Sequence, residues 1–89
     1  MIPARFTNGE EGVAVALDGL VLELVSSGAH APGRPVEVTL ALPDGALVVH
    51  AKSRGSRRRD DGRFDVRLRL VTLRREERER LTSALAPAP

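Results

Sequence analysis

The sequence predicts a mainly β fold: a small antiparallel β-barrel of five to six strands with one C-terminal α-helix. Apolar and polar side chains alternate with a period of two in several short runs of the 89 residues. Turn signals rich in glycine, proline, asparagine or aspartate separate these runs about every 8–12 residues, a spacing typical of all-β barrels and sandwiches. The alternation stops near residue 72, where good helix formers follow. A closed barrel is favoured because an open sheet of this size would expose its edges.

Length and composition indicate one globular domain. The chain is 42% hydrophobic and 29% charged, and Phe6 and Phe64 are its only aromatic residues, so the core must be aliphatic. No basic start followed by an apolar core is visible, and no apolar run approaches the ~20 residues that span a bilayer. We expect one soluble, cytoplasmic domain over residues 1–86, with a tail at 87–89 and no membrane insertion.

The first third of the chain predicts three strands joined by tight turns. Asn8-Gly9 and Asp18-Gly19 are strong turn signals. The second run has one face of large and one face of small side chains, and the third, which starts at Leu20, is apolar on both faces and predicts a central strand. The predicted strands lie within 1–8 and over 13–17 and 20–25.

The middle of the chain predicts three further strands. A loop at 26–35 precedes the cleanest half-buried alternation, and Pro43-Asp44-Gly45 is a turn in which Pro presets φ and Gly accepts a positive φ. The segment 54–63, RGSRRRDDGR, is interpreted as a polar hairpin loop because of its composition. The predicted strands are 36–42, 46–53 and 64–71, the last with a charged outer face.

A helix is predicted over 72–85. Thr72 can cap its N-terminus, and Glu76 and Arg80 have the spacing of a favourable i,i+4 pair. Pro87 and Pro89 are expected to end it. The apolar stripe that can dock on the sheet consists of Leu73, Leu81, Ala84 and Leu85.

Few residues suggest catalysis or metal binding. The absence of cysteine excludes disulfides, thiolate metal sites and a cysteine nucleophile. His30 lies in a loop without a nearby acidic residue and His50 lies mid-strand facing solvent, so both are interpreted as surface histidines. Ser26 and Ser27 lack the context of a nucleophile and are interpreted as turn residues, as are the carboxylates Asp44, Asp60 and Asp61. We predict no enzyme activity, no metal and no cofactor.

The most charged stretch is the predicted loop at 54–63, whose candidate anion-binding residues are Arg54, Arg57, Arg58, Arg59 and Arg63. Arginine forks can bind phosphate or a nucleic-acid backbone. Against this, Asp60 and Asp61 partly neutralise the stretch, and no aromatic residue is interleaved to stack bases. A solvated hairpin tip is the favoured interpretation.

Three stretches, taken in order, resemble a known family. They are GLVLEL at 19–24, APGRPVEVTLALPDG at 31–45 and FDVRLRLVTLRREERERL at 64–81. Their order and spacing over about residues 12–85 are similar to the PilZ domain, a small bacterial β-barrel associated with cyclic di-GMP signalling. The resemblance implies a PilZ-like barrel closed by a C-terminal helix.

The ligand motifs of the PilZ family are incomplete in this chain. Members that bind cyclic di-GMP use Arg-x-x-x-Arg before the barrel and [Asp/Asn]-x-Ser-x-x-Gly at an early strand. The second motif falls on residues 14–19, where Ala14 and Ala16 replace the polar residues and only Gly19 matches. The first motif is missing, since Arg5 has no basic residue four positions away. The resemblance therefore implies a degenerate member.

Three functions follow as hypotheses. The first is a non-enzymatic regulatory or adaptor module of cyclic di-GMP-related signalling, which acts by protein–protein contact through the helix or exposed strand edges. The second is a cyclic di-GMP receptor in which the arginines of 54–63 form a non-standard site. The third is a small basic barrel that binds RNA or DNA. The partner's identity and the oligomeric state stay open.

Overall fold

Six antiparallel strands close into a barrel in the computed structural model, which describes residues 1–85. The strand order around the barrel is β1-β2-β3-β6-β5-β4, and the predicted fold class is confirmed. Because every described strand has two neighbours, the expected exposed strand edges are absent from this part of the chain. The elements are β1 (Ile2–Phe6), β2 (Glu11–Asp18), β3 (Val21–Ser26), β4 (Pro35–Leu42), β5 (Gly45–Arg58), β6 (Phe64–Leu70) and α1 (Arg75–Ala84).

The barrel interior is aliphatic, as the composition predicts. Inward-facing side chains of all six strands meet there, and α1 adds Leu81 from outside the sheet. Alternation therefore places apolar groups in the core and polar groups in water. The larger side chains that are less than 2% exposed are Leu22, Leu24, Leu40, Leu68, Leu81, Val38, Val49 and Val66.

Strand β2 turns its small face inward. Ala14 and Ala16 are buried, whereas Val13 and Val15 are half-buried on the outer surface. The register to β3 shifts between Ala14 and Ala16, and this bulge allows Leu17 to point inward as well. The alternation is therefore as predicted, but a bulge reverses it before the strand ends.

The turn after β2 lies one residue later than predicted, at Gly19 and Leu20. Gly19 has a φ of +60°, which suits glycine. Leu20, expected to begin the third strand, is an exposed turn residue, and β3 begins at Val21. At the other end of β3, the buried Ser26 accepts a hydrogen bond from the Gly28 N–H at 3.2 Å, so its predicted role as a turn residue is confirmed.

The predicted hairpin loop at 54–63 is wrong over its first half. Strand β5 continues to Arg58 and pairs with β6, so only residues 59–63 connect the two strands. The register shifts between Ser53 and Ser56, where Gly55 adopts a φ of +116°. The polar composition of this segment suggests a loop. The bulge instead allows β5 to continue its hydrogen bonding with β6 beyond Gly55.

Helix α1 begins three residues later than predicted. Thr72 does not cap it; the Arg74 N–H instead donates to Glu77 Oε1 at 2.9 Å. The predicted apolar stripe is confirmed, with Leu81 and Leu85 in the core and Leu73 and Ala84 packed against it. Helix α1 is neither long enough nor apolar enough to cross a membrane.

The predicted pair of Glu76 and Arg80 does not form. Arg80 binds Asp44 through two hydrogen bonds of 3.0 Å and donates a third to the Gly45 carbonyl at 3.1 Å. This contact ties the helix to the β4–β5 turn, and a fork-shaped bidentate contact suits a guanidinium better than a single helix neighbour. The expected helix stop at Pro87 and Pro89, and the domain end at residue 86, lie outside the described residues.

Candidate functional site

The outer surface of β5 and β6 carries a cluster of cations, which we call the basic face: Lys52, Arg54, Arg57, Arg67 and Arg69. All five side chains are exposed. Lys52 lies directly opposite Arg69 in the ladder, and Arg57 lies opposite Asp65. Like charges placed directly opposite each other destabilise a sheet. The arrangement therefore favours an anionic group that is not part of residues 1–85.

A cleft of about 670 Å³ opens on this surface. Its charged lining consists of Arg54, Arg57 and Arg67 and the carboxylates Glu23 and Asp65. Asp65 is already bound by Arg59 at 2.8 Å. Arg67 Nε lies 4.0 Å from Glu23 Oε1, a distant and exposed ion pair. Within residues 1–85 no other cation of the basic face forms an ion pair. The cleft can therefore accept hydrogen-bonded oxyanions.

Only two of the five predicted candidate arginines, Arg54 and Arg57, belong to the basic face. Arg59 instead binds Asp65 at 2.8 Å and Asp61 at 3.4 Å, and the hydrogen bond that it donates to Asp65 raises the pKa of the Arg59 guanidinium. Arg58 and Arg63 are exposed beside the hairpin connection.

That connection, residues 59–63, behaves as a solvated tip. The Arg63 N–H donates to Asp61 Oδ1 at 2.9 Å, and this bond together with the Arg59 charge lowers the pKa of the Asp61 carboxyl. Arg59 and the two aspartates therefore partly neutralise the tip, as predicted, while Arg58 and Arg63 form no ion pair within residues 1–85. The cations of the basic face lie further back along the strands.

Sequence reasoning placed Arg67 and Arg69 on a charged outer face but did not join them to the arginines of 54–63. The join depends on the register of β5 against β6, in which Lys52 meets Arg69. A one-residue shift in register would place these side chains on opposite faces. The alternation in β6 was a usable signal, but the Gly55 bulge that sets the register was not visible.

The two alanines at the positions of the PilZ motif are both buried, but in different places. Ala14 is 0% exposed and belongs to the core, whereas Ala16 is 6% exposed and lies opposite Glu23 across the bulge, outside the core cluster. Gly19 lies in the exposed β2–β3 turn. The motif positions and the basic face therefore do not form one site.

The interpretation of His30 as a surface histidine without an acidic neighbour is wrong. Its side chain is 7% exposed, its Nε2 lies 3.3 Å from Glu10 Oε2, and its ring stacks on Phe6 with centroids 4.4 Å apart. Glu10 is distant in sequence but lies in the β1–β2 turn, onto which the loop at 27–34 folds. Only the folded topology brings the two side chains together.

The backbone of His30 is held from the opposite side by the serines that flank the β5 bulge. Ser53 Oγ donates to the His30 carbonyl at 3.1 Å, and the Gly55 N–H donates to Ser53 Oγ at 3.0 Å. The His30 N–H donates to Ser56 Oγ at 3.0 Å. A chain of hydrogen bonds thus runs from His30 to the bulge that presents Arg54 and Arg57.

A second cleft, of about 490 Å³, contains both histidines. His50 faces outward as predicted, and its Nδ1 lies 3.5 Å from Glu37 Oε2 in an exposed pair. The cleft therefore holds one Glu–His pair with a buried histidine and one exposed Glu–His pair. No group of three or more histidine, aspartate or glutamate side chains within residues 1–85 is arranged to hold a metal ion.

Comparison of the chain with protein families, with curated proteins and with solved structures finds no match. The resemblance to the PilZ domain depends on the order and spacing of the three stretches given above.

Proposed function

We propose that the chain is a non-enzymatic, PilZ-like regulatory or adaptor module of bacterial cyclic di-GMP-related signalling that works in the cytoplasm. It acts by binding an acidic surface of a protein partner through the basic face. The observation that carries this proposal is the position of Lys52 directly opposite Arg69. Their repulsion is relieved when carboxylates of a partner lie across both strands.

The barrel supports a scaffold role rather than the family's ligand chemistry. A helix closes the barrel as in the PilZ pattern, while Ala14 points into the core and Ala16 is buried beside Glu23. No polar contact is left at the place where the family binds cyclic di-GMP. Binding through the outer surface of β5 and β6 requires neither motif.

The test measures binding of a fluorescently labelled poly-L-glutamate peptide at low salt by anisotropy. The double variant Lys52→Glu/Arg69→Glu is expected to bind about tenfold more weakly than the wild type, because it reverses the charge at the centre of the basic face. The matched control Arg75→Glu/Arg78→Glu makes the same charge change on exposed helix positions. Equal weakening in both variants would show that only net charge matters and would reject the basic face as the site.

A second candidate is a cyclic di-GMP receptor that uses the cleft lined by Arg54, Arg57 and Arg67. Guanidinium forks match the geometry of phosphodiester oxygens, which favours this alternative. Calorimetry with cyclic di-GMP decides between the two. Binding heat that disappears in Arg54→Ala/Arg57→Ala supports the receptor and overturns the adaptor, whereas no heat with the wild type rejects the receptor.

Nucleic-acid binding is the weaker use of the same surface. Neither aromatic residue of the chain is exposed for stacking, since Phe6 is buried and Phe64 is half-buried. A gel shift with single-stranded and duplex probes at low salt tests it. A shift that the Lys52→Glu/Arg69→Glu variant loses would place nucleic acid ahead of a protein partner.

A further inference from the structure

Loop 27–34 connects the two clefts. At one point His30 lies against Phe6 and Glu10 in the second cleft. Two residues later, Pro32 lines the cleft of the basic face. Pro32 is also close to Gly55, since a Cβ added at Gly55 would lie 3.4 Å from Pro32 Cγ. The position of this short loop therefore fixes one wall of the cleft that contains Arg54 and Arg57.

The loop also contacts the backbone of β5 beside the bulge. The Gly33 N–H donates to the Ser53 carbonyl at 2.6 Å, and the Ser53 N–H donates to the Arg34 carbonyl at 2.8 Å. With the Ser53 and Ser56 hydroxyls on His30, these bonds hold both sides of the β5 register shift. A displacement of His30 is thus transmitted to the bulge by hydrogen bonds rather than through distant packing.

The side-chain anchor of this loop depends on one imidazole. His30 Nε2 and Glu10 Oε2 lie 3.3 Å apart and are both buried, and neither forms a hydrogen bond within residues 1–85. Glu10 Oε1 is held by the Asn8 amide at 2.6 Å, and Gly28 leaves the space that the carboxylate occupies. Two facing acceptors repel each other, so the contact is favourable only with a proton on Nε2, and a positive charge on the ring strengthens it as an ion pair.

Other charged groups also line this cleft. They are Arg34 from the loop, Glu37 from β4, and His50 and Lys52 from β5. His50 pairs with the exposed Glu37 of β4 and not with a residue of the loop. Among the charged and titratable residues of this cleft, only His30 has a buried side chain and a backbone carbonyl that accepts a hydrogen bond from Ser53 beside the β5 bulge.

We propose that loop 27–34 is a pH-sensitive latch: protonated His30 fastens it to Glu10 and holds the β5 bulge, and deprotonation loosens both. Histidine changes charge in the physiological range, with an ordinary pKa of about 6.5. The link from His30 to the β5 bulge does not depend on the proposed function. Tighter binding of an acidic partner at acidic pH is a consequence of this link, and it rests on the proposed function of the basic face.

The test is a pH titration of the full chain by two-dimensional amide NMR between about pH 5.5 and about pH 8.5. In the wild type, the Gly55 amide shift is expected to follow the same midpoint as the His30 ring. His30→Gln and Glu10→Gln are expected to abolish this titration. His50→Gln is the matched control, since it removes the exposed Glu–His pair and is expected to leave the Gly55 titration intact.

Two results would overturn the latch: a Gly55 amide that does not titrate in the wild type, or one that still titrates in Glu10→Gln. Glu10→Gln retains the His30 ring on Phe6, so it keeps the test valid even where His30→Gln unfolds. Poly-L-glutamate binding about fivefold tighter at the acidic end, lost in Glu10→Gln, supports the regulatory consequence. A Gly55 titration with pH-independent binding rejects that consequence alone, and no binding at any pH rejects the proposed function alone.

Discussion

The two ends of the barrel are closed in different ways. Strand β4 runs from one to the other, starting after loop 27–34 and ending before the turn that contains Asp44. At the helix end, Leu81 and Leu85 fill the opening with apolar side chains. At the loop end, the opening is filled by His30, which is stacked on Phe6 and hydrogen-bonded through its backbone.

The difference shows two routes to a closed core. Apolar closure is non-directional, so any side chains of suitable volume and position can provide it. Polar closure works only if each donor and acceptor has its partner, because an unpaired buried group is costly. The helix end can therefore serve stability alone, whereas the loop end can also act as the latch that we propose above.

Leu81→Ala at the helix end is expected to have the largest effect. Leu81 is 0% exposed, and removing its branched end leaves a cavity in the core, which costs about 2–5 kcal/mol of unfolding free energy. Urea unfolding measures the loss. Ser83→Ala, on the exposed side of the same helix, is the control and should change the unfolding free energy by less than about 0.5 kcal/mol. A loss no larger than the control's would mean that the helix does not close the core.

Ser53→Ala at the loop end is expected to have an intermediate effect of about 1–3 kcal/mol. The Ser53 hydroxyl is buried and bridges the His30 carbonyl and the Gly55 N–H. Its removal takes the partner of the Gly55 N–H and leaves the His30 carbonyl with only the 3.3 Å bond from Ser56 Oγ. Hydrogen exchange at the Gly55 amide should accelerate more than exchange at other amides, because this N–H loses its own acceptor. A general loss of stability at the helix end would not affect Gly55 more than the other amides. The exposed Ser27→Ala is the control. Unchanged Gly55 exchange would contradict the polar closure.

Asp44→Asn at the helix end is expected to have the smallest effect. The hydrogen bond from Arg80 lowers the pKa of the Asp44 carboxyl in the folded state, and both side chains are exposed. The bond therefore adds stability that is fully present above the ordinary aspartate pKa of about 3.9. This contribution declines as the pH falls through the lowered folded-state pKa.

The melting temperature of the wild type should exceed that of Asp44→Asn slightly at neutral pH. The difference should begin to shrink below about pH 4 and should vanish below the lowered folded-state pKa of Asp44. Asp18→Asn is a matched control, since this exposed aspartate forms no ion pair within residues 1–85. A difference that stays constant to low pH would show that the contact with Arg80 does not depend on the carboxylate charge.

Most of the fold was predictable because apolar alternation and turn chemistry act locally. The runs that became β4 and β6, and the stripe containing Leu81, are confirmed almost as predicted. The end of β5 was not predictable, since a bulge at Gly55 lets a polar stretch continue as a strand. Pairing with β6, rather than local preference, decides that segment.

The candidate site was predictable only in part, for a related reason. Arg54 and Arg57 were found by charge density, but their neighbours Arg67 and Arg69 needed the strand register. His30 was misread because its acidic partner is distant in sequence. Contacts between segments that are distant in sequence produce no periodic pattern in the sequence. Such contacts determine which polar side chains are buried, so the burial of His30 was not predictable.

Strand β5 also determines the order in which the barrel is expected to fold. Ala51 lies in both of its ladders, opposite Val36 of β4 and Leu70 of β6. These two hairpins are local in sequence, whereas the pairings of β1 with β4 and of β3 with β6 each join strands that have two others between them along the chain. Because distant contacts require larger loop closures, the β4–β5–β6 meander should form first and the closing of the ring should limit the folding rate.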